Sequence, residues 1–135
     1  MNTNSDPEEF LRDYCASFVP GNMEIVAAYY RLPVTMIFGE NIQVLDTRDK
    51  VLKALNAVMD GLVEKGFDHT EMDEYHRHRL NDTTSILSAA FSRLKTDGSL
   101  LEKLGASYTV VNDGAGYKIS YLIAHRPDRI MRFQN

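Results

Sequence analysis

Three side chains with metal-binding chemistry recur at alternate positions in the second half of this chain: Glu74, His76 and His78. Alternate residues of a β-strand point to the same face, so a carboxylate and two imidazoles could bind one ion there. The segment lacks the glycines and the downstream glutamate of the cupin metal motif, and a further ligand would have to come from His125 or elsewhere. Nearby acidic residues equally suit a solvated charge pattern. We therefore predict no metal site.

Proton transfer is the second chemistry that these residue types permit, because histidine titrates near neutral pH. His76 or His125 could act as a general base, while tyrosine hydroxyls donate hydrogen bonds to an oxyanion. The tyrosines are equally suited to be core aromatics, and His125 could lie at a rim. The single cysteine, Cys15, follows Tyr14 on an apolar helix face, where a thiol is usually inert. No Ser-His-Asp spacing, phosphate loop or dinucleotide motif is present, and we predict no cofactor.

Composition indicates one globular domain with no disulfide framework. The chain has 135 residues, 44% of them hydrophobic and 25% charged, with one cysteine. Its net charge of −4 argues against a nucleic-acid partner, which would need a basic surface. No apolar run approaches a membrane span, and the polar N-terminus has no signal-peptide pattern. We expect a cytoplasmic protein with a disordered tail over residues 1–6 and a single domain over 7–135.

Helical patterns fill the first half of the chain. Asp6 and Pro7 open the first helix, which Pro20 and Gly21 end. Asn22 can cap a second helix, whose apolar stripe includes Tyr29 and Tyr30 and which closes at Pro33. Asp46 or Thr47 caps the third, and Gly66 is a plausible stop. The apolar positions of this third helix are Val51, Leu52, Leu55, Val58, Met59, Leu62 and Val63.

Alternating patterns fill the second half. A small hairpin is predicted over 34–38 and 42–45, before the third helix. After Asp68 the period is two, with turns at 81–82, 96–98 and 112–116. These turns delimit strands ending at Leu80 and spanning 83–95, 100–111 and 117–125, which short connections should join as an antiparallel meander. Long strands in a twisted sheet curve, so the sheet should have a concave side.

The order of helix, helix, hairpin, long helix and long-stranded meander resembles the nuclear transport factor 2-like superfamily. This superfamily has a cystatin-like α+β cone and includes ketosteroid isomerase, scytalone dehydratase and polyketide cyclases. The similarity runs from about Pro7 to His125, with local marks at Tyr14, 20–26 and 113–119. It implies an α+β fold in which three N-terminal helices pack in the concave face of a curved, mostly antiparallel sheet.

The resemblance to ketosteroid isomerase carries over residue by residue only in part. Tyr14 falls where the isomerase has a first-helix tyrosine that donates to the substrate oxygen. The general-base aspartate would fall near Ile37 or Phe38, neither of which accepts a proton. The second oxyanion donor, a neutral aspartic acid, would fall on Tyr108. The resemblance therefore implies two hydroxyl donors without the base, and the isomerase reaction itself is not expected.

Strand alternation together with this alignment selects the residues expected to line a cavity. Alternation sorts each strand into two faces, and the alignment places one set from each strand on the concave side. We predict as candidate catalytic groups Tyr14, His76, Tyr108 and His125. We predict as ligand-binding residues Tyr30, Phe38, Met72, Leu87, Phe91 and Tyr121.

The opposite sheet face carries small, semi-apolar residues, among them Ser88, Ser107, Leu122 and Ala124. Monomers rarely expose such an area. In the superfamily this surface often pairs two copies, which implies a homodimer through the outer sheet face. The basic tail over 126–132 is expected to cover the sheet edge.

Three functions fit these observations. A protein that binds a small, mostly apolar ligand comes first, because the expected lining is rich in aromatic and aliphatic side chains. A cofactor-independent isomerase, dehydratase or cyclase is the alternative, with a histidine base and tyrosine donors. An adaptor that works through its outer surface comes third. Superfamily membership does not choose among them.

Overall fold

A computed structural model of the chain describes residues 6–133. Within them, helix α1 spans Pro7–Ser17, α2 spans Met23–Ala27 and α3 spans Arg48–Glu64. The strands are β1 (Tyr30–Phe38), β2 (Asn41–Leu45), β3 (Phe67–Arg79), β4 (Thr84–Lys95), β5 (Leu100–Asn112) and β6 (Tyr117–His125), followed by a 3₁₀ turn at Pro127–Arg129. Of the tail predicted over 1–6, positions 1–5 lie outside the described residues. Asp6 is the N-cap of α1, and its side chain accepts a hydrogen bond from the Glu8 amide.

The strands form one six-stranded sheet in the order β2-β1-β6-β5-β4-β3. Strands β3 to β6 make the predicted antiparallel meander. The β1–β2 hairpin joins it through a parallel pairing of β1 with β6. The predicted fold class is confirmed: helices pack against a curved, open, mostly antiparallel sheet in a cystatin-like α+β arrangement.

Helix α3 has the length that this topology requires. It connects β2 to β3, which are the two opposite edges of the sheet. Its 17 residues give about 25 Å of helix, and five interstrand spacings also add up to about 24 Å. Its apolar stripe, including Val51 and Leu55, is buried on the sheet. We call the helix-covered side of the sheet the inner face and the opposite side the outer face.

The second helix is shorter than the sequence predicts. It ends at Ala27, and Tyr30, which the helical stripe includes, is the first residue of β1. Pro33, predicted to close the helix, lies inside β1, where the pairing with β6 skips from Tyr30 to Thr35. Proline has no N–H to donate, so this break in the pairing accommodates it.

Two β-bulges reverse the predicted facing of several residues. On β3, Met72 faces Phe91 and Glu74 faces Ala90, so Asp73 is an extra residue. On β6, Ile119 faces Val110 and Tyr121 faces Thr109, so Ser120 is extra. The alternation restarts one residue later after each bulge. The residues moved to the outer face are Glu74, His76, His78, Tyr121, Ile123 and His125, whereas Leu122 and Ala124 lie on the inner face.

The C-terminal segment, residues 126–133, crosses the outer face of β5, β4 and β3 and is not confined to the sheet edge. The Met131 amide donates to Ser88 Oγ at 2.8 Å, and Arg132 Nε lies 2.8 Å from a Glu74 carboxylate oxygen. The Phe133 ring stacks on His78 with centroids 5.1 Å apart. Where the segment begins, Gly105 has no side chain to obstruct it: a Cβ there would lie 2.7 Å from the Arg126 carbonyl oxygen.

None of the helices in the described part of the chain has both the length and the apolar composition needed to cross a lipid bilayer.

Candidate functional site

A cavity of about 320 Å³ lies between the helices and the inner face of the sheet. Helices α1 and α3 form one wall, and the sheet forms the other from β1 across to β3. Most of the lining is aliphatic or aromatic. The lining residues are Tyr14, Cys15, Phe18, Tyr30, Met36, Phe38, Ala54, Leu55, Val58, Thr70, Phe91, Arg93, Leu104, Ala106, Tyr108, Leu122 and Ala124.

Three buried tyrosines, Tyr14, Tyr30 and Tyr108, form a phenol cluster in this lining. The Tyr14 and Tyr30 hydroxyls share a hydrogen bond. The Tyr108 ring stands edge-on to Tyr14, with centroids 6.1 Å apart. Within residues 6–133 the Tyr108 hydroxyl has no hydrogen-bond partner, although it faces the cavity. It is therefore available to donate to a bound molecule.

Burial keeps these phenols protonated. Desolvation raises the pKa of Tyr14 above its ordinary value of 10, and the pKa values of Tyr30 and Tyr108 rise well above it for the same main reason. The phenol cluster is thus a set of neutral hydroxyl donors at physiological pH. Such donors suit a carbonyl, a phenolic oxygen or an anion. They are not proton acceptors.

Arg93 is a lining residue that the site prediction omits. Its guanidinium carbon lies 6.0 Å from the centroid of the Phe18 ring, and its Nη1 donates to a Glu102 carboxylate oxygen at 2.5 Å. Its charge is near enough to lower the pKa of Tyr14 and Tyr108, against the larger effect of burial. The sequence contains a signal for it, because alternation already places Arg93 on the same face as Leu87 and Phe91. A cation on an apolar strand face is uncommon.

Cys15 also lines the cavity and is buried. Desolvation raises the pKa of its thiol to about 12. The group is therefore a thiol and not a thiolate at neutral pH, as its apolar position in α1 predicts.

Of the ten predicted site residues, five line the cavity: Tyr14, Tyr30, Phe38, Phe91 and Tyr108. Leu87 is on the inner face but is fully buried in the core, outside the cavity lining. Met72 packs half-buried against the core, opposite Phe91 on the neighbouring strand. These two residues support the site and do not form its surface.

The expected inward positions of His76, His125 and Tyr121 are wrong, because the bulges turn all three to the outer face. His76 lies opposite Ser88 on β4, and its Nε2 is 2.5 Å from a Glu74 carboxylate oxygen. Tyr121 is 37% exposed. Among the described residues, no histidine lines the cavity.

His125 takes part in a hydrogen-bonded chain under the C-terminal segment. Its Nδ1 lies 2.8 Å from the Arg126 carbonyl oxygen, which only accepts, so Nδ1 carries the proton. Its Nε2 then accepts from the Ser107 hydroxyl at 2.8 Å, and Ser107 accepts from Ser88 at 2.9 Å. Ser88 in turn accepts from the Met131 amide. The imidazole is thus engaged in holding the segment on the sheet.

The spacing of Glu74, His76 and His78 does not produce a metal site in the part of the chain that the structure describes. Glu74 contacts His76 and Arg132, whose hydrogen bonds hold the pKa of the carboxyl at about 2. His78 stacks on Phe133. Over residues 6–133 no group of three or more His, Cys, Asp or Glu side chains has the geometry to hold an ion.

Solved structures share this architecture at low sequence identity. Aln2 from a Streptomyces species has a TM-score of 0.72 at 14% identity, over 94% of this chain and 96% of that chain. A protein of unknown function with a cystatin-like fold from Nostoc punctiforme has a TM-score of 0.72 at 8% identity, over 92% and 93%. A Catenulispora acidiphila protein in complex with S-DNPA has a TM-score of 0.69 at 10% identity, over 90% and 91%. At these identities the likeness shows the fold alone.

Sequence comparison assigns the family. No curated protein sequence matches this chain. Residues 5–127, which cover nearly the whole fold, match the family described as NTF2-like protein (DUF6841). The resemblance inferred from the order of elements is thereby confirmed. The chain belongs to the NTF2-like protein family DUF6841.

Proposed function

We propose that this protein binds a small, mostly apolar molecule in the cone cavity, with an oxygen atom of the ligand facing the phenol cluster. The observation that carries the proposal is an apolar cavity of about 320 Å³ whose wall includes a Tyr108 hydroxyl with no partner among the described residues. Small-molecule sites are typically pockets of about 300–1,000 Å³ with apolar walls and a few polar groups. This cavity is at the lower end, which suits a ligand of two or three fused rings.

The similar Catenulispora acidiphila structure in complex with S-DNPA supports a ligand-binding role for this fold. The support is general, since the two chains are only 10% identical.

The alternative, a cofactor-independent isomerase, dehydratase or cyclase, lacks a base in this geometry. General-base catalysis needs an acceptor within about 3 Å of the proton, or one water away. Within residues 6–133 the cavity lining includes no histidine, aspartate or glutamate, and Cys15 and the phenols are protonated at neutral pH. His76 and His125 lie on the other side of the sheet. Binding is therefore the better-supported function.

A cavity-filling variant tests the binding proposal. Ala54 of α3 lines the cavity, so Ala54→Trp should fill it, whereas Ala57→Trp adds the same side chain at an exposed position of the same helix. We expect some members of a lipid, steroid and polyketide library to raise the melting temperature of the wild type and of Ala57→Trp. At a concentration of 100 Kd a ligand stabilises a protein by about 2.7 kcal/mol.

The same compounds should leave the melting temperature of Ala54→Trp unchanged, as measured by thermal-shift assay and native mass spectrometry. If no compound stabilises the wild type, or if Ala54→Trp responds as the wild type does, the cavity is not the binding site.

For the outer face, we propose a homodimer through the half that the C-terminal segment leaves uncovered. On β2, Ile42 and Val44 are 65% and 64% exposed, and on β6 Tyr121 and Ile123 are 37% and 36% exposed. The strand pairing aligns Val44 with Tyr121 and Ile42 with Ile123, so these side chains form two rows across β2, β1 and β6. Adjacent exposed apolar rows of this kind favour association.

Light scattering at micromolar concentration should give the dimer mass for the wild type. Ile42→Glu should give the monomer mass, because it puts a charge in the contact. Ile25→Glu is the control, since Ile25 is 56% exposed but lies on α2, outside these two rows. A wild-type monomer, or equal masses for the two variants, would contradict this assignment.

A further inference from the structure

Each polar side chain in the cavity lining can donate a hydrogen bond. These side chains are three tyrosines, Thr70, Cys15 and Arg93, and the lining drawn from the described residues includes no carboxylate and no imidazole. Among these groups only Arg93 is charged at neutral pH. A bound molecule therefore meets hydrogen-bond donors and one guanidinium, whose charge is paired with a Glu102 carboxylate outside the lining. This arrangement complements an acceptor-rich, anionic group.

The position of Arg93 within the sheet is well defined. It faces Thr70 on β3 and Glu102 on β5, so these three side chains form a row across the inner face. The Phe18 ring packs against the guanidinium, and the Arg93 side chain is only 19% exposed. Packing on an aromatic ring and a salt bridge to Glu102 together restrict the guanidinium plane. Such a group is preorganised for a planar anion.

Arg93 also has unused hydrogen-bonding capacity. A guanidinium carries five N–H donors. In the described chain Arg93 donates only through Nη1, to Glu102. Arg93 is part of the cavity lining and Glu102 is not, so the donors of Arg93 that Glu102 does not use remain available to a molecule in the cavity.

We propose that the ligand of this cavity is a small aromatic or polycyclic acid whose carboxylate binds Arg93 while its ring system contacts Phe91 and the phenol cluster. This inference rests on the proposed binding function and narrows its ligand class from apolar molecules to apolar acids. A carboxylate accepts two parallel N–H bonds from one guanidinium, and Thr70 supplies a neighbouring hydroxyl. The ring oxygens of such an acid would accept from Tyr108.

Two probes of nearly identical shape test the inference: 2-naphthoate, which carries a carboxylate at pH 7, and 2-naphthamide, which is neutral. Their dissociation constants are measured by calorimetry on the wild type, Arg93→Met, Arg93→Lys and Glu102→Gln. We expect the wild type to bind 2-naphthoate roughly 10- to 100-fold more tightly than 2-naphthamide, as a charged hydrogen-bonded pair in a desolvated site should give. Arg93→Met should lose this preference and keep its affinity for 2-naphthamide, which also shows that the variant is folded.

Arg93→Lys should retain part of the preference, because it keeps the charge but loses the two-bond geometry. Glu102→Gln should bind 2-naphthoate as tightly as the wild type or more tightly. Equal wild-type affinities for the two probes, or a preference that survives in Arg93→Met, would overturn the acid assignment and leave the binding proposal intact. Failure of both probes to bind the wild type would count against both proposals.

Discussion

Above pH 10 the free energy of unfolding should fall steeply, and up to about 4 kcal/mol of the loss for each pH unit should come from three buried phenols. The cause is the phenol cluster of Tyr14, Tyr30 and Tyr108, whose pKa values burial raises above 10. Between the unfolded and folded pKa values, the unfolded chain has released these protons while the native state still binds them. Native stability is therefore lost as pH rises, and below pH 10 the three groups contribute no slope. Urea unfolding at pH 9, 10 and 11 measures the effect.

Variants separate the phenols from the other groups that titrate in this range. Tyr108→Phe removes one of the three protons and should reduce the slope above pH 10 by about 1.4 kcal/mol per pH unit. Phe91→Leu removes a ring from the same cavity without removing an ionisable group, so it should shift the whole curve and leave the slope unchanged. A slope for Tyr108→Phe equal to that of the wild type would show that the Tyr108 phenol ionises as easily in the folded chain as in the unfolded one.

Leu87→Ala should destabilise the protein by about 2–5 kcal/mol. Leu87 is completely buried at the centre of the inner face, between Ser85 and Ala89 on β4 and opposite Tyr108 on β5. Truncation removes its apolar contacts and leaves a cavity that the paired strands cannot close. Chemical denaturation monitored by circular dichroism gives the loss in free energy.

Leu80→Ala makes the same chemical change at a residue that is 52% exposed, and it should reduce the free energy of unfolding by less than about 0.5 kcal/mol.

Leu87→Ala also tests whether Leu87 contacts a ligand in the cavity. Because Leu87 is outside the lining, Leu87→Ala at a temperature where it is folded should bind cavity ligands within a few-fold of the wild type. A large loss of affinity with little loss of stability would instead make Leu87 a ligand contact.

The helices and strand ends of this protein are largely predictable from sequence because they depend on local signals. Capping by Asp6 and by Thr47 defines the starts of α1 and α3, and both side chains accept the expected amide hydrogen bonds. The turns of the meander occur where Asn, Asp and Gly cluster, so strands β4 to β6 begin and end within a residue of prediction. The exception is α2, where Tyr29 and Tyr30 continue the helical stripe in the sequence, but in the structure Tyr29 lies in a turn and Tyr30 begins β1.

The facing of residues is predictable only as far as the alternation is uninterrupted. Between Ser85 and Arg93 on β4 it holds, and the inward residues Leu87 and Phe91 are identified correctly. A bulge adds one residue without changing composition, so nothing in the pattern at Asp73 or Ser120 reveals it. Every residue beyond the bulge then changes face together, which is why His76 and His125 are both misplaced.

The polar character of the cavity is predictable in part. The resemblance to ketosteroid isomerase identifies Tyr14 and Tyr108, and both line the cavity. Alternation sorts Arg93 to the correct face, yet a charged residue near a strand end is usually solvent-exposed, so sequence alone gives it no role. Its pairing with Glu102 and its contact with Phe18 depend on three-dimensional packing.

The position of Cys15 should make its rate of alkylation a measure of how much of the protein has a molecule in the cavity. It is the chain's single cysteine, and its side chain is part of the cavity wall. Burial keeps the group a thiol at neutral pH, so its alkylation is slow and is best followed at mildly alkaline pH. A molecule bound in the cavity should slow the reaction further by obstructing the reagent. With no second sulfhydryl to react in parallel, the rate of modification would report directly how much of the protein is occupied.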